Sequence, residues 1–336
     1  MKCKQDLAGR AKVYFSHRRG VKICPRMGKN GPLDAIVTFR LSRITNWLQH
    51  YFPSLHGRIL DAAIKTNTRQ AFGAIDPSWG LEPSPSLTNG LSVLMINDHM
   101  IPLIREDKIS PVAGVKRIVG PKQVELADGT TLYDVDVIIA CTGYESNTHI
   151  VQGISHTTLD DRVGALPDLY QNMFPVQLAD SFVFLDACSL HENAATYREV
   201  MAMAVSQIWA GKSKLPPESE MRADVRAYQR WFTNKKLAFS STYPGLARAR
   251  TFLRFIHDAA GTGVDEYLGW GWKGWKLWFT DRKLYNLAVW GLFSPHIYRL
   301  FETGKRPVWE GAREALVRIN ETYKEDWERG GRMKTA

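Results

Sequence analysis

Three short stretches of the chain hold residue types that could grip a ligand. The first is Ser16-His17-Arg18-Arg19, directly after the apolar run Val13-Tyr14-Phe15. Arginine offers a planar fork of donors that matches the oxygens of a phosphate. The second is Asn97-Asp98. Its amide could donate to a ligand oxygen, or could simply close an Asx turn. The third is Thr142-Gly143-Tyr144. It follows Asp136 to Ala140, a short, β-branched and almost wholly apolar run that predicts a fully buried strand, as in a parallel sheet. In open α/β sheets ligands sit at the carboxyl ends of strands, and a glycine there lets another group approach the backbone. Each stretch also has a plain structural reading: a solvated arginine pair on a turn, an ordered loop, and a buried strand that turns without meeting a ligand.

The surrounding pattern shows what must position them. Val124 to Leu132 reads as two short strands joined at Asp128-Gly129. Ile36 to Trp47 and Leu55 to Ile64 have helical spacing, and residues 73–88 are loop-rich. Ser181 to Asp186 predicts another buried strand. The turn His191-Glu192-Asn193 and a helix over Ala194 to Trp209, stopped by Gly211, follow it. Two amphipathic helices are expected over residues 219–239 and 309–322. Strands alternating with helices place the chain in the α/β class.

A strand meander with an Asp-Gly turn, then Asp134 to Tyr144 with its Cys141-Thr142-Gly143-Tyr144, resembles the Ala-Thr-Gly-Tyr signature of flavin-containing monooxygenases and their relatives. Cys141 stands where that family usually has alanine. The resemblance runs from about residue 6 to about residue 322, in family order. It takes in Lys12 to Gly20 with Pro25-Arg26, then Asn97-Asp98, Leu215-Pro216, Phe279-Thr280-Asp281 and Gly311-Ala312-Arg313. It implies a Rossmann-like, three-layer α/β flavoprotein with two dinucleotide-binding domains. Residues 1–145 would be the remainder of the NADPH domain, and residues 146–336 the carboxyl part of the FAD domain. Ser16, Arg18 and Arg19 would then meet the 2′-phosphate of NADPH, with Asn97, Thr142, Gly143 and Tyr144 near the cofactors. The implied activity is NADPH- and O2-dependent oxygenation of a small molecule with a nucleophilic nitrogen or sulfur, using FAD. The cofactor carries that chemistry, so no catalytic side chain is named.

The family's Gly-rich fingerprints, GxGxxG for FAD and GxGxSG for NADPH, would lie upstream of Met1. Gln5 to Gly9 would be the tail of the helix after the second, so the expectation is a chain missing its first segment. Gly269-Trp270-Gly271-Trp272-Lys273-Gly274 has the spacing of such a loop, but carries bulky tryptophans and follows no strand pattern. In related flavoproteins the turn before the Ala194 helix faces the flavin. The polar trio His191-Glu192-Asn193 departs from the small residues expected there. A non-catalytic remnant and an NADP(H)-binding subunit completed by a partner chain remain as competing readings.

Composition bounds the rest. The chain has 336 residues, 44% hydrophobic and 23% charged, enough for one large or two ordinary domains. The net charge of +10 is scattered, and no basic run is interleaved with aromatics, which argues against nucleic acid as a partner. Cys3, Cys24, Cys141 and Cys188 are too far apart for a metal or disulfide framework, so no metal site is expected and a reducing, cytoplasmic setting fits. The tryptophans at 270, 272, 275, 278 and 290 read as core or interface packing rather than a substrate box. Charged residues break every apolar run well short of a membrane span, so no membrane anchor is expected. Homo-oligomerisation is left open.

Overall fold

The computed structural model describes residues 12–18, 20–28, 31–81, 94–143, 148, 151–190, 192, 194–239, 242 and 245–334. The expected helix tail at Gln5 to Gly9, together with Arg19, Tyr144, His191 and Asn193, lies outside them. The chain divides into two compact units, Met1–Asp34 with Ser54–Tyr144, and Ala35–Pro53 with Glu145–Ala336.

Up to residue 132 the elements are β1 (Val13–Ser16), β2 (Lys22–Cys24), β3 (Met27–Gly28), β4 (Gly31–Pro32), α1 (Leu33–Ile36), α2 (Phe39–Tyr51), α3 (Pro53–Phe72), β5 (Leu94–Ile96), α4 (Met100–Arg105), β6 (Ile109–Val112), β7 (Val115–Gly120), β8 (Gln123–Leu126) and β9 (Thr131–Leu132). Apart from α2 and the second half of α1, they build the first unit. β1 runs parallel to β6, with Val13 opposite Ile109, and β2 runs parallel to β5, with Lys22 opposite Leu94. The connection β2–α3–β5 is a crossover unit of the kind parallel pairing requires. One apolar cluster joins these layers: Ile23, Met100, Ile101, Ile104 and Ile109 are buried, with Val13, Phe15 and Phe72 packed on them. Polar contacts fasten α3 to β2, where Thr68 Oγ1 donates to Ile23 O at 2.7 Å and Lys22 pairs with Asp61.

The meander β7–β8–β9 follows as read from the sequence. Gly129 turns at φ 88°, with Leu126 N–H donating to Thr130 O at 2.8 Å. Only glycine adopts that conformation freely.

The second unit is mainly helical: α5 (Ala194–Trp209), α6 (Glu218–Ala238), α7 (Ala249–Ala260), α8 (Val264–Tyr267), α9 (Trp272–Thr280), α10 (Arg282–Trp290) and α11 (Ala312–Lys334). Two small antiparallel ribbons accompany them, β10 (His156–Thr158) with β11 (Ala165–Pro167) and β12 (Leu169–Tyr170) with β13 (Phe174–Pro175). Val200, Met201, Ala204, Ile256, Val289 and Leu316 are fully enclosed in its core. Helix α2 belongs here because Arg40, only 3% exposed, donates to Leu268 O at 2.9 Å and Tyr285 Oη at 2.7 Å. Its guanidinium also lies 4.3 Å from the Trp270 ring.

Two expectations are corrected, and a third in part. Asp136 to Ala140 is not a strand, and Val137 and Ile139 are 73% and 69% exposed. A strand exists through ladder bonds to neighbours. Among the described residues the backbone pairing of this segment stops at Val135 N–H to Lys122 O. Ser181 to Asp186 is also outside any strand; the Ser181 and Phe182 N–H groups turn back to Leu178 O at 3.0 and 2.8 Å, and Phe184 N–H donates to Met173 O at 2.9 Å. Finally, of the tryptophans read as core or interface packing, Trp278 packs on the core, whereas Trp270, Trp272, Trp275 and Trp290 are exposed and are not core residues. No helix among the described residues is long and apolar enough to cross a membrane.

Candidate functional site

Ser16, His17 and Arg18 leave the carboxyl end of β1, held against the β6–β7 turn. Ser16 Oγ donates to Ala113 O at 2.9 Å, and His17 N–H donates to Val112 O at 3.3 Å. A Cβ on Gly114 would lie 2.8 Å from Arg18 Cγ, so the missing side chain there makes room for the arginine stem. Ser16 and Arg18 are exposed. No carboxylate pairs with Arg18 among the described residues. The result is an available guanidinium beside an accessible hydroxyl oxygen at the end of a parallel strand. That arrangement suits a phosphate.

His17 is the residue that sequence reasoning left without a role. Gly20 N–H donates to its Nδ1 at 3.1 Å, so the ring proton sits on Nε2 and is given to Trp79 O at 2.9 Å. The ring lies over Gly80, whose φ of 63° ends the 3-10 turn Pro77–Trp79. Val21 N–H donates to Gly80 O at 3.0 Å, closing the loop that carries Arg18. The signal in the sequence was Asp76-Pro77-Ser78-Trp79-Gly80, a capped turn that must end in glycine.

Asn97 is buried at the carboxyl end of β5. Its Oδ1 accepts from the His99 N–H at 2.7 Å and the Met100 N–H at 2.9 Å, the geometry of an Asx turn that opens α4. Its own N–H donates to Cys24 O at 2.9 Å. Asp98 accepts from Arg26 N–H at 2.8 Å. The ends of β2 and β5 are thereby tied together. Burial, reinforced by Asp98, pushes the Cys24 thiol up to about 11, so it is no nucleophile near neutral pH.

Thr142 and Gly143 are exposed, with Gly143 at φ 100° and open space where a side chain would start. Among the described residues no hydrogen bond or ion pair joins them to either strand end. The structure therefore sets Ser16 and Arg18 at one strand end, places Asn97 in a structural turn, and among the described residues joins Thr142-Gly143 to neither by a hydrogen bond or ion pair.

At the start of α5, Glu192 Oε1 accepts from Ser42 Oγ at 2.7 Å and Asn46 Nδ2 at 2.6 Å. A carboxylate two positions before α5 places negative charge near the positive end of that helix, where it would oppose an anionic reduced flavin. Gly269 and Gly274 serve packing within their own loop: a Cβ on Gly274 would lie 2.1 Å from Gly269 O. The short helix α8 precedes this loop, where a phosphate cradle would need a strand. Among the described residues no cluster of His, Cys, Asp and Glu could hold a metal ion.

Comparison with known proteins adds the following. A family model described as flavin-binding monooxygenase-like matches residues 5–327. Monooxygenase aurF of Gibberella zeae is 32% identical over 318 residues, 92% of this chain and 59% of that protein. Flavin-containing monooxygenase 5 of Rattus norvegicus is 26% identical over 313 residues, 91% of this chain and 52% of that protein. Dimethylaniline monooxygenase (N-oxide-forming) 4 of Oryctolagus cuniculus is 23% identical over 314 residues, 91% of this chain and 50% of that protein. The chain thus spans about half the length of these curated relatives.

Proposed function

Because the chain belongs to the flavin-binding monooxygenase-like family, we propose that it reads the 2′-phosphate of NADPH within a flavin-dependent monooxygenase. Membership implies FAD and NADPH as the cofactors. The substrate class we assign is a small molecule with a nucleophilic nitrogen or sulfur. One of the relatives matched is named as N-oxide-forming, which supports that class. In this reading residues 1–145 are part of the NADPH domain and residues 146–336 part of the FAD domain. The division of the chain after Tyr144 agrees with that boundary, although residues 35–53 pack with the second unit. Among the described residues the cysteines Cys24, Cys141 and Cys188 are free, which suits a cytoplasmic location.

The observation that carries the proposal is Arg18, exposed and, among the described residues, unpaired by any carboxylate where β1 ends, with Gly114 opening space for it. Arg18 would hold the 2′-phosphate by charge-assisted hydrogen bonds, with Ser16 and Arg19 beside it. Asn97 would act indirectly, by ordering the end of β5, and the Thr142-Gly143-Tyr144 turn would lie near the bound nucleotide. FAD supplies the redox and oxygen chemistry when bound. This chain's residues bind and orient the reductant.

One observation favours a second reading, that the chain binds NADP(H) and needs a partner for flavin. Glu192 occupies the helix start where a flavin contact would be expected, and the described residues offer no other phosphate loop. Titration with adenosine 2′,5′-bisphosphate and with 5′-AMP separates nucleotide binding from flavin chemistry. The proposal expects the 2′-phosphate to strengthen binding about tenfold or more. Equal affinity for the two ligands would contradict it.

A further inference from the structure

We propose that the second unit carries a separate site for a small organic anion with an apolar body, in a cavity beside α6. The cavity encloses about 370 Å³. Arg222, Arg226 and Arg230 line it at intervals of four residues, so they stack on successive turns along one face of the helix. Arg222 is answered by Glu218, with its Nε donating to the carboxylate at 2.8 Å. Arg226 and Arg230 have no ion pair among the described residues; Arg230 Nε reaches the Arg226 carbonyl oxygen, at 3.3 Å. Two cations one turn apart repel each other. A bound anion would offset that repulsion.

The acid in the wall, Asp168, forms no ion pair with them among the described residues. Asp168 Oδ1 accepts from Gln229 Nε2 at 2.8 Å and Thr157 Oγ1 at 3.0 Å. Gln229 is only 1% exposed, so this network is fixed by burial. Neutral donors hold the carboxylate, and among the described residues neither Arg226 nor Arg230 forms an ion pair with it. The floor is apolar, from Val176 and Val225, both buried. A ligand must then present a carboxylate or phosphate to the arginines and an apolar group to the floor. The space matches small-ligand pockets, which run from about 300 to 1,000 Å³. The site lies in the second unit, shares no residue with the Arg18 strand end, and is independent of the function proposed above.

The test is calorimetric titration of the full chain with benzoate and with phenyl phosphate at low ionic strength. Saturable binding of at least one probe is expected, weakening as salt is raised. The double variant Arg226→Gln, Arg230→Gln should lose affinity about tenfold or more. Both positions are exposed, so the fold should survive, and the thermal transition of the variant checks this. Asp168→Asn should tighten binding, because a negative wall charge is removed while its oxygen can still accept. Tighter phenyl phosphate would assign a phosphate monoester, and tighter benzoate a carboxylate. Arg18→Ala should leave either affinity unchanged. No saturable binding up to about 10 mM, or affinity that survives the double substitution, or that falls with Arg18→Ala instead, would overturn the proposal.

Discussion

The guanidinium of Arg313 is ion-paired with the carboxylate of Asp281, across 32 positions of sequence. The same carboxylate accepts from Leu284 N–H at 3.0 Å and so caps α10. Two segments that the family resemblance singled out, Phe279-Thr280-Asp281 and Gly311-Ala312-Arg313, are thereby joined as a clasp between the starts of α10 and α11. Their shared role is structural. Ala312 and Leu316, at 1% and 0% exposure, seat α11 just beyond the clasp.

Asp281→Ala should therefore destabilise the fold by about 1–2 kcal/mol, most of it from the lost cap. Asp281→Asn keeps a capping oxygen and should cost less, and Arg313→Ala should cost about 0–1 kcal/mol because that side chain is half exposed. Denaturant unfolding of the three variants gives the order. If Ala and Asn cost the same, the cap is not what stabilises α10.

The same residue predicts a direction in acid. Burial raises the Asp281 carboxyl, but the Leu284 N–H and Arg313 outweigh it and hold it below its ordinary value of 3.8. A carboxyl depressed in the folded state contributes stability that is present above the unfolded value and is lost as pH falls through the folded one. Wild type should lose stability relative to Asp281→Asn only below about pH 4. A constant difference from pH 7 down to pH 2 would argue against this.

Gly80 and Gly129 give a paired comparison. Both have positive φ, 63° and 88°, so alanine at either should cost about 1–2 kcal/mol of backbone strain. At Gly129 a Cβ meets nothing within 4 Å, whereas at Gly80 it would come within 2.5 Å of the His17 ring. Gly80→Ala should thus be the more damaging and should also loosen the Ser16–Arg18 turn. Equal losses in thermal unfolding would show that His17 yields without cost.

The isolated chain should not hold stoichiometric FAD. Glu192 keeps an anion at the start of α5, and Gly269 to Gly274 closes on itself. The visible absorption spectrum after incubation with FAD and gel filtration is the readout. A bound-flavin spectrum near one flavin per chain would mean that some segment cradles the pyrophosphate after all, with Gly269 to Gly274 the first to examine.

Elements set by local chemistry could be read from the sequence. Helix α5 runs from Ala194 to Trp209 with Gly211 past its end, as periodicity and the stop signal require, and Asp128-Gly129 turns β8 into β9. Elements that depend on distant partners could not. Val137, Ile138 and Ile139 have the composition of a central strand, but composition does not supply the neighbouring strands that would bury them. The placing of residues 35–53 with the second unit rests on Arg40 reaching Leu268, 228 positions away, which no local pattern reveals. At the site, Ser16 and Arg18 were marked by following a strand. His17 was not, because its partner Trp79 lies 62 positions on.

The most direct test of the account is nucleotide discrimination by Arg18. NADPH and NADH differ only in the 2′-phosphate. Titrating the parent chain and Arg18→Ala with each by fluorescence isolates that one contact. The account predicts that parent binds NADPH more tightly, that Arg18→Ala loses about 1.5–3 kcal/mol of that affinity, and that NADH binding barely changes. Equal NADPH affinity in parent and variant would contradict it.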